Sequence, residues 1–219
     1  MTNDTPQNNL PPEPPEVTRL WDIFGAENFE ETIIEAEKYI ENNSSADHYD
    51  AKKLIGLSAF RLGRYDKSEQ VFSSLAEGNG TMEEWFNLLT SSTMNNNIKL
   101  SERALDKIVD AFRSATENPG ITLPQVYFYY LQALRDVGQY DKAFAILKNL
   151  MNYHLQVKIT DTHFLYVRGI PLLQDTLLAG KQILENVAPE DSKKLLDRLE
   201  NELDEEGMEF ITDFRKSMA

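Results

Sequence analysis

One short segment limits what this chain can fold into. Gly63-Arg64-Tyr65-Asp66-Lys67-Ser68 recurs as Gly138-Gln139-Tyr140-Asp141-Lys142-Ala143. Each copy follows an apolar helical stretch and precedes another, through Val71, Phe72 and Leu75 in the first and Ile146, Leu147 and Leu150 in the second. Glycine accepts the left-handed backbone with which a helix can end and the chain reverse. The tyrosine two places on can pack back into the hairpin, and the small residue three places later lets the two helices approach closely. The glycines lie 75 positions apart, which leaves room for a further hairpin between them. Recurrence on this scale points to stacked units, none of which buries its apolar face alone.

The intervening hairpin is legible. Trp85, Leu88 and Leu89 fall on one helix, and Ala104, Ile108 and Ala111 fall on a second. Asn95-Asn96-Asn97 is read as the turn between them, about three residues longer than the others, and Asn118-Pro119-Gly120 as the stop. Upstream, Leu20, Trp21 and Phe24 form a short first helix. Phe29, Ile33, Ala36 and Ile40 share one face of a second, with Asn28 as its expected cap and Glu31 completing a capping-box-like start. No window shows sustained period-two alternation, so no strand is expected. Residues 1–15 contain Pro11, Pro12, Pro14 and Pro15 in five positions; they are expected to be an extended, disordered lead-in. Beyond 156 the pattern stays helical without the recurring segment. Thr160 or Asp161 caps a helix holding Phe164 and Leu165, which Gly169 and Pro171 end. Pro189 starts another at its first turn, and Gly207 separates a last one.

These motifs resemble the tetratricopeptide repeat, an antiparallel helix pair about 34 residues long. Gly56, Gly63, Tyr65, Ser68 and Phe72 fill the family's small, turn and packing places in one unit. Gly138, Tyr140, Ala143 and Leu147 fill the corresponding places in another, where Leu131 departs from the small first-helix residue. The resemblance implies an all-α fold, a right-handed α-α superhelix of antiparallel pairs over residues 16–156, in units of about 16–46, 47–81, 82–120 and 121–156. Residues 157–219 are then a C-terminal helical cap, because a stack of repeats otherwise ends with an apolar face in water.

The chemistry-bearing residues are sparse. There is no cysteine, hence no disulfide, thiolate metal site or cysteine nucleophile. His48, His154 and His163 have no metal-ligand spacing, no phosphate-cradling glycine loop or nucleophile elbow occurs, and the acidic pairs fall on solvated helix faces. The expectation is no catalytic residue, no metal, no cofactor and no enzyme. A formal charge of −14 repels nucleic acid and anionic lipid. No apolar run approaches the ~18 residues of a membrane span, and residues 1–6 lack the features of a secretory signal, so a cytoplasmic location is expected.

Function is therefore expected at a protein-binding surface. In the repeat family, first helices line a concave groove. The matching positions here are Lys53, Leu57, Phe60 and Arg61, then Phe86, Asn87 and Thr90, then Phe128, Gln132 and Arg135. Aromatic residues flanked by Lys53, Arg61 and Arg135 would suit an amphipathic or extended peptide. The resemblance implies a scaffold or adaptor; a chaperone of the type III secretion kind, holding a hydrophobic segment, and a non-catalytic subunit binding through its C-terminal helices are the alternatives. Some family members clamp the acidic C-terminus of heat-shock chaperones with two Lys, two Asn and one Arg. Only Lys53 and Asn87 match that set, with Leu57, Gln125 and Tyr129 in the other places, so that role is not expected. Leu195, Leu199 and Leu203 could pair between chains in a homo-oligomer.

Overall fold

The computed structural model describes residues 15–43, 48–78, 80–114 and 120–218. Those residues form twelve helices and no strand. The proline-rich lead-in lies outside them, except that Pro15 opens the first helix. Ser44 and Ser45, read as part of a helix stop, and Asn118 and Pro119 also lie outside them. No helix among the described residues is long and apolar enough to cross a membrane.

Chain packing divides the molecule into two compact units, residues 1–75 and 76–219. The first holds α1 (Pro15–Gly25), α2 (Phe29–Asn42), α3 (Tyr49–Arg61) and most of α4 (Tyr65–Gly78). Here α1 packs on α2 and α3, and α2 packs on α3. The core comprises Val17, Leu20, Ile33, Ala36, Leu54 and Ala59, among others. Phe72 of α4 lies against Gly56 of α3, where a Cβ would sit 2.8 Å from the phenyl ring.

The second unit holds α5 (Met82–Met94), α6 (Ile98–Ser114), α7 (Leu123–Asp136), α8 (Tyr140–Val157), α9 (Thr162–Val167), α10 (Leu173–Asn186), α11 (Pro189–Glu202) and α12 (Glu205–Met218). Its pairs are α5 with α6, α7 with α8 and α10 with α11. First helices also touch in succession, α5 with α7 and α7 with α10, while α12 lies on α10 and α11.

The hairpins share one turn. Glu27, Gly63, Asn96 and Gly138 all have positive φ, between 58° and 74°, and each stands two residues before a second helix. At Gly63 the glycine N–H donates to Phe60 O at 3.0 Å and the Arg64 N–H donates to Ala59 O at 2.8 Å. The same pair of bonds closes the turns at Glu27, Asn96 and Gly138; it satisfies carbonyls that every helix C-terminus leaves open. The Asn95–Asn97 turn is therefore of ordinary length, contrary to the expectation of a longer one: asparagine takes the left-handed place that glycine takes elsewhere. Asn28 makes no side-chain cap bond. Its N–H serves the preceding turn instead, donating to Ile23 O.

The second helices share a small residue. The fourth position of α2, α4, α6, α8 and α11 is Thr32, Ser68, Ser101, Ala143 and Ser192, and all five are buried. The four hydroxyls are satisfied by backbone carbonyls: Ser68 donates across to Gly56 O of α3 at 2.9 Å and Ser192 to Leu184 O of α10 at 2.7 Å, while Thr32 donates to Asn28 O at 3.0 Å and Ser101 to Ile98 O at 2.8 Å. Helix α10 carries Gly180 at its eighth position, as α3 carries Gly56, and a Cβ there would lie 3.1 Å from Leu147 of α8. Thus α10 and α11 form a fifth pair with the same spacing, inside the stretch that the sequence marked only as a cap. Leu195, Leu199 and Leu203 are buried within the chain, so they are not free to pair with a second copy. Gly207 does not separate the last helix, since α12 begins at Glu205. The break falls at Leu203 and Asp204.

Candidate functional site

The candidate groove residues fall in both units. On α3, in the first unit, Lys53 and Leu57 are half-buried, and Lys53 Nζ stands 5.8 Å from the centre of the Tyr49 ring. Phe60 meets Tyr65 edge to face at 5.4 Å, while Arg61 is exposed.

In the second unit, Phe86 on α5 and Phe128 on α7 are both half-buried, and both touch Tyr129. The Phe86 and Tyr129 rings lie 5.6 Å apart and those of Phe128 and Tyr129 6.1 Å apart, all edge to face. Such pairs hold their rings in a preferred geometry and contribute about 1 kcal/mol each beyond area. Tyr129 itself is 51 % exposed. It is the residue that joins the two phenylalanines; its place beside Phe128 in an aromatic run was the available signal. Thr90 and Gln132 bond to carbonyls of their own helices, at Phe86, Asn87 and Phe128. The Asn87 Nδ2 atom is shielded from water with no partner among the described residues.

Arg135, two turns beyond Phe128 on α7, is tied into the packing of the next pair. Its guanidinium donates to Asp136 at 2.8 Å and to Ala179 O on α10 at 3.3 Å. The reason is the packing of α10 against α7, which places a helix carbonyl and a neighbouring carboxylate within its reach.

The aromatic face ends in a cleft of about 650 Å³ between α7 and the segment running from α9 into α10. Phe128, Tyr129, Tyr166 and His163 provide its rings, Ile170, Pro171 and Leu172 its apolar lining, and Asp161 and Asp175 its carboxylates. Tyr166 and the adjacent Val167 are 78 % and 65 % exposed. This size and a mostly apolar lining with few polar groups are typical of small-ligand or side-chain pockets.

Two anchors fix the wall. Thr122 caps α7, exchanging bonds with Gln125 (Thr122 N to Gln125 Oε1, 2.9 Å; Gln125 N to Thr122 Oγ1, 3.3 Å), and its hydroxyl also donates to Gly169 O. Gly169 has φ 62° and no room for a Cβ against Thr122. At the other end Asp204 accepts from Thr160 N at 2.9 Å, Thr160 Oγ1 at 2.6 Å and Gly207 N at 3.0 Å. Burial pushes the Asp204 carboxyl up, but these donors outweigh it and hold the group below its ordinary value. Between the anchors Asp161 caps α9 by accepting from Phe164 N at 2.7 Å, and Leu165 is buried.

No group of three or more His, Asp or Glu side chains among the described residues could hold a metal ion. His154 is buried in α8: neither ring nitrogen has a hydrogen-bond partner among the described residues, and desolvation lowers its pKa to about 4. No family model, curated protein or solved structure matches this chain.

Proposed function

We propose that the chain is a non-catalytic adaptor of tetratricopeptide type, which docks an extended segment of a protein partner along α5, α7 and the cleft beside α9. The observation that carries this is the run of rings Phe86, Tyr129 and Phe128, half-buried to half-exposed and opening into a cleft with Tyr166 exposed at its rim. Monomeric soluble surfaces rarely leave such aromatic area uncovered without a use for it, and aromatic anchors dominate the energetics of protein interfaces. The tetratricopeptide assignment is supported by the left-handed turn before α2, α4, α6 and α8 and by the buried small residue at the fourth position of those helices and of α11.

The test is a triple variant, Phe86→Ala/Phe128→Ala/Tyr129→Ala, compared with the unaltered chain by cross-linking and affinity capture under gentle lysis. A stoichiometric partner should be lost with helicity retained by circular dichroism. The same partner recovered at the same yield would place docking on another surface.

A further inference from the structure

We infer that the cleft between α7 and α9 takes the side chain of an arginine carried by the docked segment. This rests on the docking role proposed above and adds the chemistry of the occupant. Three phenyl or phenol rings, from Phe128, Tyr129 and Tyr166, and the imidazole of His163 border a space that also meets two carboxylates, Asp161 and Asp175, and no lysine or arginine lines it. The nearby cations are committed elsewhere. Arg135 is held by Asp136 and Ala179 O, and the Arg168 guanidinium lies 3.7 Å over the Phe164 ring.

Aromatic faces and carboxylates attract a cation together: the ring faces through their quadrupoles, the carboxylates through charge. Asp161 uses one oxygen to cap α9, at 2.7 Å from Phe164 N, and keeps its second oxygen; Asp175 stands in the first turn of α10. A planar guanidinium satisfies both demands at once. It stacks on a ring and presents a fork of donors to a carboxylate, whereas a lysine ammonium is a more strongly hydrated point charge. The net charge of −14 draws a basic segment toward the surface and leaves an acidic one repelled. The occupant belongs to a longer segment rather than to a free amino acid, because the ring run continues from the cleft through Tyr129 to Phe86 on α5.

The test uses two blocked dipeptides, acetyl-leucyl-arginine amide and its citrulline counterpart, which keeps the shape and lacks the charge. Each is titrated into the full chain while the aromatic side-chain NMR signals of Phe128, Tyr129 and Tyr166 are followed. The arginine dipeptide should bind about ten-fold more tightly and shift those three rings. Asp175→Asn should remove most of that preference, and added salt should weaken it. Equal affinity for the two dipeptides, with the same rings shifted, would overturn the arginine assignment and leave the docking face standing. No shift of these rings with either dipeptide would overturn both.

Discussion

Four residues in left-handed backbone close the hairpin turns, and only two of them are glycine. At Gly63 and Gly138 a Cβ would meet no atom within 4 Å, so the cost of replacement is purely that of the backbone. Gly63→Ala and Gly138→Ala should each lower stability by about 1–2 kcal/mol in urea unfolding. Glu27 stands in the same conformation at φ 61° with a Cβ that disfavours it. Glu27→Gly should raise stability by about 1 kcal/mol in the same assay, and a loss would contradict this account of the turn. The two glycines were legible because their residue type matches the geometry. Glu27 was not, since nothing about glutamate announces positive φ, and Asn96 was misjudged only in turn length. His154 makes a separate prediction. Its folded value of about 4 lies below the 6.5 of an unburied histidine, so between those values the unfolded chain binds the extra proton. Stability should fall by about 3 kcal/mol as pH drops from 7 to 4. Asp204, with its folded value lowered, contributes stability that is lost only at still lower pH. His154→Leu should flatten the decline between pH 6.5 and 4; an unchanged slope would remove His154 as its source.

At the scale of helices, packing at glycine decides how closely a pair can approach. Gly56 in α3 sits under the Phe72 ring, 2.8 Å from where its Cβ would be, and Phe72 is only 1 % exposed. The ring has little room to give way, so Gly56→Ala should destabilise by about 1–3 kcal/mol through overpacking. Phe72→Ala should cost about 3–5 kcal/mol through the cavity it leaves. Denaturant midpoints of the two variants would check both, and a neutral Gly56→Ala would mean that α4 shifts to accept the methyl. The first four pairs were readable in the residues because apolar periodicity and turn chemistry agreed. The fifth, α10 with α11, escaped because its connection has no left-handed residue. Val187 is extended, with φ −105° and ψ 173°, and Pro189 restarts the helix. The signals that remained were Gly180 and Ser192, at the same helix positions as Gly56 and Ser68. Two such residues do not stand out without the packing that gives them meaning.

Across the second unit, the cleft depends on parts far apart in sequence, α7 on one side and residues 158–175 on the other. That is why only part of the site was legible: Phe86 and Phe128 follow from repeat position, whereas Tyr129 stands out in the sequence only as a departure from the heat-shock clamp and Asp161, Tyr166 and Asp175 lie in the stretch that reads as a cap. The contact of Arg135 with Ala179 O was likewise out of sight, because the helix that engages Arg135 was not counted among the pairs. The wall itself hangs on Thr122 and Asp204. Asp204→Ala removes three accepted hydrogen bonds from the Thr160 end and the start of α12. Amide exchange across 158–172 should speed up in that variant, with α5 and α6 unaffected, and binding at the cleft should weaken. Unchanged exchange would show that Leu165 and Ile170 hold the wall without it.

Helix α9 is six residues long, too short to persist in water by itself, and it belongs to none of the helix pairs. It is an insert between two of them, seated by the buried Leu165 and Ile170 and pinned at its margins by Thr160 and Gly169, so only its exposed positions can change while the framework beneath keeps its contacts. Different side chains at exposed positions such as Tyr166 and Val167, with Thr160, Leu165, Gly169 and Ile170 left in place beside Thr122 and Asp204, would present a different chemical face on the same frame. The preference proposed for the cleft is in that sense adjustable: exchanging a few exposed residues of the insert should retarget it without refolding the rest.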